Sequence, residues 1–314
     1  MLNNKENSTY KKGILYTASS YFLWGILPLY WKLIGNVASE EILAHRIFWS
    51  FIFMIVILTT TREILNIRVV TTELLKKPKL LLMLIISSVL ISINWFVYIW
   101  AVNHNQMIEA SLGYYINPLI SVLLGLVFFK EKINLLQKIS FIIAALGVIY
   151  MTTRYGEIPL IAITLAVSFG LYGLTKKITK LSSAMGLTLE TLMVTPIAIF
   201  YLVYLGQTGN MEFMNFNLET NLLLIGAGAA TAIPLLLFAT GAQKIPLYMV
   251  GILQYIAPTI TLMIGIVIYS EPFTTTEVVT FSCIWSALFL FTMSHSKLYK
   301  KIELKHTKRK SIEF

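Results

Sequence analysis

Apolar positions run along this chain in blocks of about twenty residues, the length a helix needs to cross a bilayer core of roughly 30 Å at 1.5 Å per residue. Polar and basic residues fall between the blocks rather than alternating within them. A spanning backbone must satisfy its own hydrogen bonds, and no ten-residue alternation of a membrane barrel is present, so each block is predicted to be a helix. Ten spans are expected, at approximately Ile14–Leu33, Ile42–Thr60, Leu80–Val102, Met107–Phe129, Ile133–Thr153, Ile158–Thr175, Ala184–Leu205, Asn221–Thr240, Leu247–Tyr269 and Glu277–His295. The fold class is therefore all-α integral membrane.

One block occurs twice. EASLGYYINPLISVLLGLVFFKE (109–131) meets VGILQYIAPTITLMIGIVIYSE (250–271) at an offset of 140, without a gap. Tyr115, Ile116, Pro118, Gly125 and Glu131 fall on Tyr255, Ile256, Pro258, Gly265 and Glu271. The same offset pairs the third span with the eighth and the fifth with the tenth; an offset of 148 sets Trp24-Gly25 on Tyr172-Gly173. The expected organisation is a tail at 1–13, a five-helix repeat at 14–153, a second repeat at 154–295 and a basic tail at 296–314. Five is odd, so the second repeat enters the membrane inverted, the arrangement of many secondary transporters.

Charge sets the orientation. Of the 25 Lys and Arg residues, 22 fall on the side of the N-terminal tail, the even-numbered connections and the C-terminal tail. Lys32, Arg46 and Arg154 are the exceptions. Both termini are expected to be cytoplasmic, and the first apolar block, which lacks a small-residue cleavage site, a retained helix. The longest inner connection, Thr61 to Lys79, is a basic linker with room for a surface helix.

Composition removes several function classes. With 57% apolar and 13% charged residues the chain is not a soluble globular protein, and its net charge of +10 follows membrane topology rather than a nucleic-acid-binding face. The single Cys283 and the lack of any Asp leave no disulfide framework or metal cage. No GxxxxGK phosphate loop occurs, so uphill transport would run on an ion gradient or exchange. No cofactor and no catalytic cluster is expected.

Polar groups at membrane depth are costly and mark a cavity or a partner. Glu190 is either a proton-carrying carboxylate or counter-charge for a cationic substrate, or an interfacial Glu paired with a basic loop. His45 and Arg46 occupy the corresponding part of the second span, as coupling or ion-pair candidates; Glu190, Glu40 and Glu41 are the possible partners of Arg46. Asn94 and Trp95 lie near the middle of the third span, where the amide either lines a path or bonds a neighbouring helix. Tyr114, Tyr115, Gln254 and Tyr255 precede Pro118 and Pro258 and are cavity candidates. Pro118, Pro258 and Pro234 are expected helix breaks, because proline removes a donor and frees a carbonyl one turn earlier.

Six strings carry a resemblance: YFLWGILPLYWKLI (21–34), EILAHRIFWS (41–50), NWFVYIWAVN (94–103), EASLGYYINPL (109–119), SFGLYGL (168–174) and LQYIAPT (253–259). Together they resemble the RarD family of EamA transporters, within the drug/metabolite transporter superfamily. The resemblance implies two inverted EamA-like repeats and a multi-pass permease of the bacterial inner membrane. The family name is linked to chloramphenicol sensitivity or resistance. A small metabolite or drug as substrate, export by alternating access and a coupling proton are the expectations; a passive channel and a membrane-embedded enzyme are the rivals. EamA repeats often carry Gly before the terminal Glu, where this chain has Lys130 and Ser270.

Overall fold

The computed structural model describes residues 2–129, 134–179, 181–214, 218–242, 244–245, 249–250 and 253–294. Glu131, Lys130 and the tail at 296–314 lie outside the described residues. Every regular element among the described residues is helical. In chain order these are α1 (Leu2–Leu33), α2 (Ser39–Thr60), α3 (Ile67–Leu75), α4 (Pro78–Asn103), α5 (Met107–Phe129), α6 (Leu135–Tyr155), α7 (Leu160–Thr179), α8 (Ser183–Thr208), α9 (Leu218–Ala242), α10 (Ile256–Met263) and α11 (Thr275–Ser294). Seven of them, α2, α4, α5, α6, α8, α9 and α11, are long and apolar enough to cross a membrane; the Leu160–Lys176 part of α7 and Ile256–Ile268 are shorter apolar helices.

Local chemistry accounts for most boundaries. Pro78 opens α4 at a position whose N–H has no helical partner anyway. Asn134 and Gln137 form a reciprocal capping box that starts α6, with Asn134 Oδ1 accepting the Gln137 N–H at 3.0 Å. Gly156 ends α6 and Gly209 ends α8 with φ of 73° and 72°, a left-handed turn open to glycine. The linker after α2 folds as a 3₁₀ turn, Glu63–Asn66, followed by α3, which buries Leu74 against Leu58, Leu84 and Leu189.

Two departures from the sequence reading are local. Helix α1 begins at Leu2, within the stretch expected to be a tail, and runs through Gly13 and Pro28 to Leu33. Helices α5 and α9 run through Pro118 and Pro234 without interruption. Pro258 sits in the first turn of α10, where a missing N–H costs little.

The chain divides into two compact units, each drawing on both halves of the sequence: Met1–Asn117 with Ile161–Glu271, and Pro118–Leu160 with Pro272–Phe314. In the first, α1 packs on α9 and α10, and α2 packs on α8, α9 and α4. Its core holds Trp31, Ile34, Ile42, Ile99, Met107 and Leu165. Lipid is as apolar as leucine, so close packing rather than hydrophobic burial joins such helices. At Gly228 an added Cβ would run into the Trp49 carbonyl and stand 2.8 Å from the Ser50 nitrogen, so α2 and α9 touch backbone to side-chain-free backbone. Phe200 and Ile197, largely exposed, supply the apolar surface that acyl chains cover.

In the second unit, α6 packs along α11. A Cβ at Gly147 would lie 2.8 Å from the Cys283 Cβ, so the two helices meet through the glycine. The Tyr155 hydroxyl donates to Glu277 Oε1, and Glu277 Oε2 accepts the Thr274 N–H at 2.7 Å, which caps the start of α11.

Candidate functional site

The first unit buries polar and charged side chains among its apolar helices. Asn94 on α4 is almost wholly excluded from solvent. Its amide nitrogen donates to the Leu165 carbonyl at 3.1 Å and to Ser168 Oγ at 3.0 Å, both on α7. Its oxygen accepts from the Tyr114 hydroxyl on α5 at 3.1 Å. One amide therefore ties three helices together with its capacity largely used. The neighbouring Asn117 donates to the Ala166 carbonyl at 3.3 Å, also on α7.

Arg46 follows a different logic. It sits on α2, 4% exposed, with Nε donating to Thr231 Oγ1 on α9 at 2.9 Å. The guanidinium carbon lies 4.3 Å from the Trp95 ring centroid and 5.0 Å from that of Trp31. Two indoles thus flank the cation, the geometry of cation–π attraction. Nη1 has no hydrogen-bond partner.

Glu190 on α8 is the other charged centre, 1% exposed. Lys176, in the last turn of α7, stands 2.7 Å from Oε1. Ser87 on α4 donates to the same oxygen at 2.5 Å, and the Tyr172 hydroxyl donates to Oε2 at 3.1 Å. A methyl at Gly186, one turn before Glu190, would stand 2.6 Å from Lys176 Nζ, so the glycine leaves the lysine its route. Tyr98, Tyr114, Phe169 and Tyr172 stand in ring contact in sequence, at centroid separations of 5.6, 6.2 and 5.9 Å, between the Asn94 node and Glu190.

Arg46 and Glu190 are not partners, a correction to one pairing the sequence allowed. Helix packing gives Glu190 the lysine of α7 and leaves Arg46 with a hydroxyl and two rings. The lysine that pairs with Glu190 is helical rather than part of a loop. His45 has other partners: Nδ1 accepts from the Trp49 indole at 3.2 Å, Nε2 lies 3.8 Å from Glu41, and its ring meets that of Phe213 at a tilt, with centroids 4.6 Å apart.

The repeated Tyr-Ile-x-Pro stretches meet face to face. Tyr115 and Tyr255 stack at 6.1 Å, the Tyr115 hydroxyl shares a 2.5 Å bond with Thr259, and Ser111 Oγ donates to the Pro258 carbonyl at 2.7 Å. Gln254 lies half-buried just before α10.

Three carboxylates are held by backbone N–H groups, among them Glu41, which the sequence offered as a partner of Arg46 and which does not pair with it. Glu271 accepts the Met107 and Ile108 N–H groups, both at 2.9 Å, at the start of α5. Glu109 accepts those of Ile161 and Ala162 at 3.0 and 3.3 Å at the start of α7, and Glu41 those of Glu212 and Phe213. Each satisfies orphan donors with an anion, two of them at a helix's positive end. A cavity of about 570 Å³ opens beside Glu41, lined among others by Glu40, Glu212, Asn103, His104 and Trp100. Among the described residues no three metal-ligating side chains gather.

Known proteins resemble the chain over nearly its whole length. Residues 11–153 match the EamA-like transporter family. An uncharacterized transporter of Bacillus subtilis, YojE, is 56% identical over 94% of this chain and 98% of its own length. Protein RarD of Escherichia coli is 39% identical over 90% of this chain and 94% of its own length. A chloramphenicol-sensitive protein RarD of Pseudomonas aeruginosa is 25% identical over 92% of this chain and 96% of its own. One solved crystal structure, 16% identical, superposes with a TM-score of 0.60 over 91% of this chain and 97% of that one, a likeness of fold.

Proposed function

The chain belongs to the EamA transporter family, as a RarD-type member, and from that premise we propose a secondary permease that exports a small metabolite or drug across the cytoplasmic membrane by alternating access. The observation that carries the proposal is the set of buried polar bonds between the two halves of the sequence: Asn94 to α7, Arg46 to α9 and Ser87 to Glu190 on α8. Polar side chains held at membrane depth by helices of opposite halves are what a solute path through an inverted repeat requires.

Ten spans complete that reading: the seven long apolar helices, with α1, α7 and the segment Ile256–Ile268 as the remaining three. The two repeats, 14–153 and 154–295, carry opposite orientations, and both termini face the cytoplasm. Glu190 is the coupling carboxylate in this proposal, with Lys176 as the group that holds its charge until a proton replaces it.

The test is flux in proteoliposomes of purified protein across a panel of metabolites and antibiotics, with and without an imposed proton gradient. Saturable uptake that responds to the gradient is expected. Linear, non-saturating flux would replace the permease with a channel, and no solute-dependent flux across a broad panel would remove the proposal.

A further inference from the structure

Buried carboxylates in the first unit are already engaged, and the arginine is not matched to any of them. Glu190 is held by Lys176, Ser87 and Tyr172. Glu271 and Glu41 are held by backbone N–H groups, as is the half-buried Glu109. Among the described residues Arg46 makes no ion pair. A guanidinium removed from solvent with no counter-charge is costly, and two indole faces offset that cost only in part.

The unmet groups around Arg46 are of one kind. Arg46 Nη1 is without a partner, and so is the Nε1 of Trp31, the indole whose ring lies against the guanidinium. Both atoms can only donate. Ser50 Oγ, fully buried and one turn beyond Arg46 on the same side of α2, is also unpartnered and can donate. Thr231 accepts from Arg46 Nε while its hydroxyl donates to the Ala227 carbonyl at 2.9 Å, and as a neutral group it brings the guanidinium no counter-charge. Asn94, whose oxygen accepts from Tyr114, is likewise neutral. What this corner lacks is an acceptor carrying negative charge, and the described residues around it supply none.

We propose that Arg46, between Trp31 and Trp95, is the attachment point for the oxyanion group, carboxylate or phosphate, of the transported solute. The inference rests on the permease reading and narrows it to acidic solutes. Arginine suits this task better than lysine because its planar fork presents parallel donors to an oxyanion and its face stacks on aromatic rings. A neutral polar solute would satisfy single donors and leave the charge unmatched, so selectivity for the acid over its amide follows.

Matched solutes isolate the charge: benzoate against benzamide, glutamate against glutamine, and glucose 6-phosphate against glucose. Each is titrated into the full chain in nanodiscs by calorimetry, with flux measured in proteoliposomes. Binding of the acidic member of at least one pair, with its neutral twin at least tenfold weaker, is expected; which pair responds separates carboxylate from phosphate. R46Q should lose that binding at least tenfold. S50A and W31F, which remove one donor each and keep the cation, should lose it severalfold and serve where R46Q does not fold.

Equal binding of acid and amide in every pair, or unchanged acid binding in S50A and W31F, would overturn the site and assign its open donors to water. Flux of neutral or cationic solutes without acid binding would overturn the site and leave the permease. Acid binding without flux would keep the site and remove the permease.

Discussion

Lys176 Nζ stands 2.7 Å from Glu190 Oε1, joining the last turn of α7 to the interior of α8. The lysine side chain is 26% exposed and the glutamate 1%, so the two ends of the pair are unequal. Removing the glutamate leaves a lysine that can reach solvent. Removing the lysine leaves a buried carboxylate with two hydroxyl donors and, among the described residues, no counter-charge. Breaking a buried pair this way costs about 3 kcal/mol or more. K176M should therefore lower thermal stability in detergent further than E190Q, which should cost roughly 1 kcal/mol, the scale of one lost net hydrogen bond. The double variant should lose less than the two single losses together. E190Q should insert normally and change transport and its pH dependence; wild-type transport there would remove Glu190 from coupling.

The Glu271 carboxylate makes a comparable prediction for a helix end. It takes two N–H groups of α5, at Met107 and Ile108, one on each oxygen. E271A leaves both donors unmet and removes an anion from the positive end of the helix, a loss of about 2 kcal/mol. E271Q keeps one acceptor oxygen but turns an amide N–H₂ towards the second donor, so it should recover less than half of that loss. E109A should cost less than E271A, because only Oε1 is engaged there, at 3.0 and 3.3 Å. Unfolding midpoints of the three variants, measured in one detergent, check the order.

The helices were legible because a span is written in composition: seven blocks of the required length and apolarity reappear as long helices. The polar opening of α1 was not, since Asn, Lys, Ser and Thr read as a tail until Gly13 is seen to lie against Lys244 and Ile245. Asn94 was legible as a residue with no business in lipid, and its partners on α7 were not. Glu190 was legible only as one of two alternatives, buried or interfacial, and the choice of Lys176 over Arg46 depends on how α7 lies on α8 and on the space left at Gly186. Glu271 and Glu109 were least legible, because their partners are backbone N–H groups, which carry no letter in a sequence. Arg46 needed three further helices, those of Trp31, Trp95 and Thr231, before its surroundings had meaning.

Glycine contacts give a paired prediction. A methyl at Gly228 meets the backbone of Trp49 and Ser50, which cannot rotate away, so α2 and α9 must separate. G228A should cost about 2 kcal/mol, within the range for overpacking. At Gly173 a Cβ meets nothing within 4 Å among the described residues, and G173A should stabilise α7 by up to about 1 kcal/mol through helix propensity. Melting of both variants under one condition compares them; an equal loss at the two positions would contradict the packing.

Ser270 ties the departure from the family pattern to a measurable strain. It has a φ of 53°, in the left-handed region, directly before Glu271. The chain reaches it through a turn of π-helix, Ile264–Ile268, and returns at once, with the Glu271 N–H donating to the Gly265 carbonyl at 3.0 Å. That reversal aims the Glu271 side chain at the start of α5. Glycine, which EamA repeats often carry here, adopts this conformation without the Cβ penalty of about 1 kcal/mol that serine bears. Glycine also adds freedom to the unfolded chain, which offsets part of the gain. S270G should therefore raise stability by roughly 0.5 kcal/mol. S270V, branched at Cβ, should lose well over 1 kcal/mol. Because the strain and the cap belong to one turn, S270V should weaken the effect of E271A when the two are combined. Independent, additive losses from that pair would show that the turn does not aim the carboxylate.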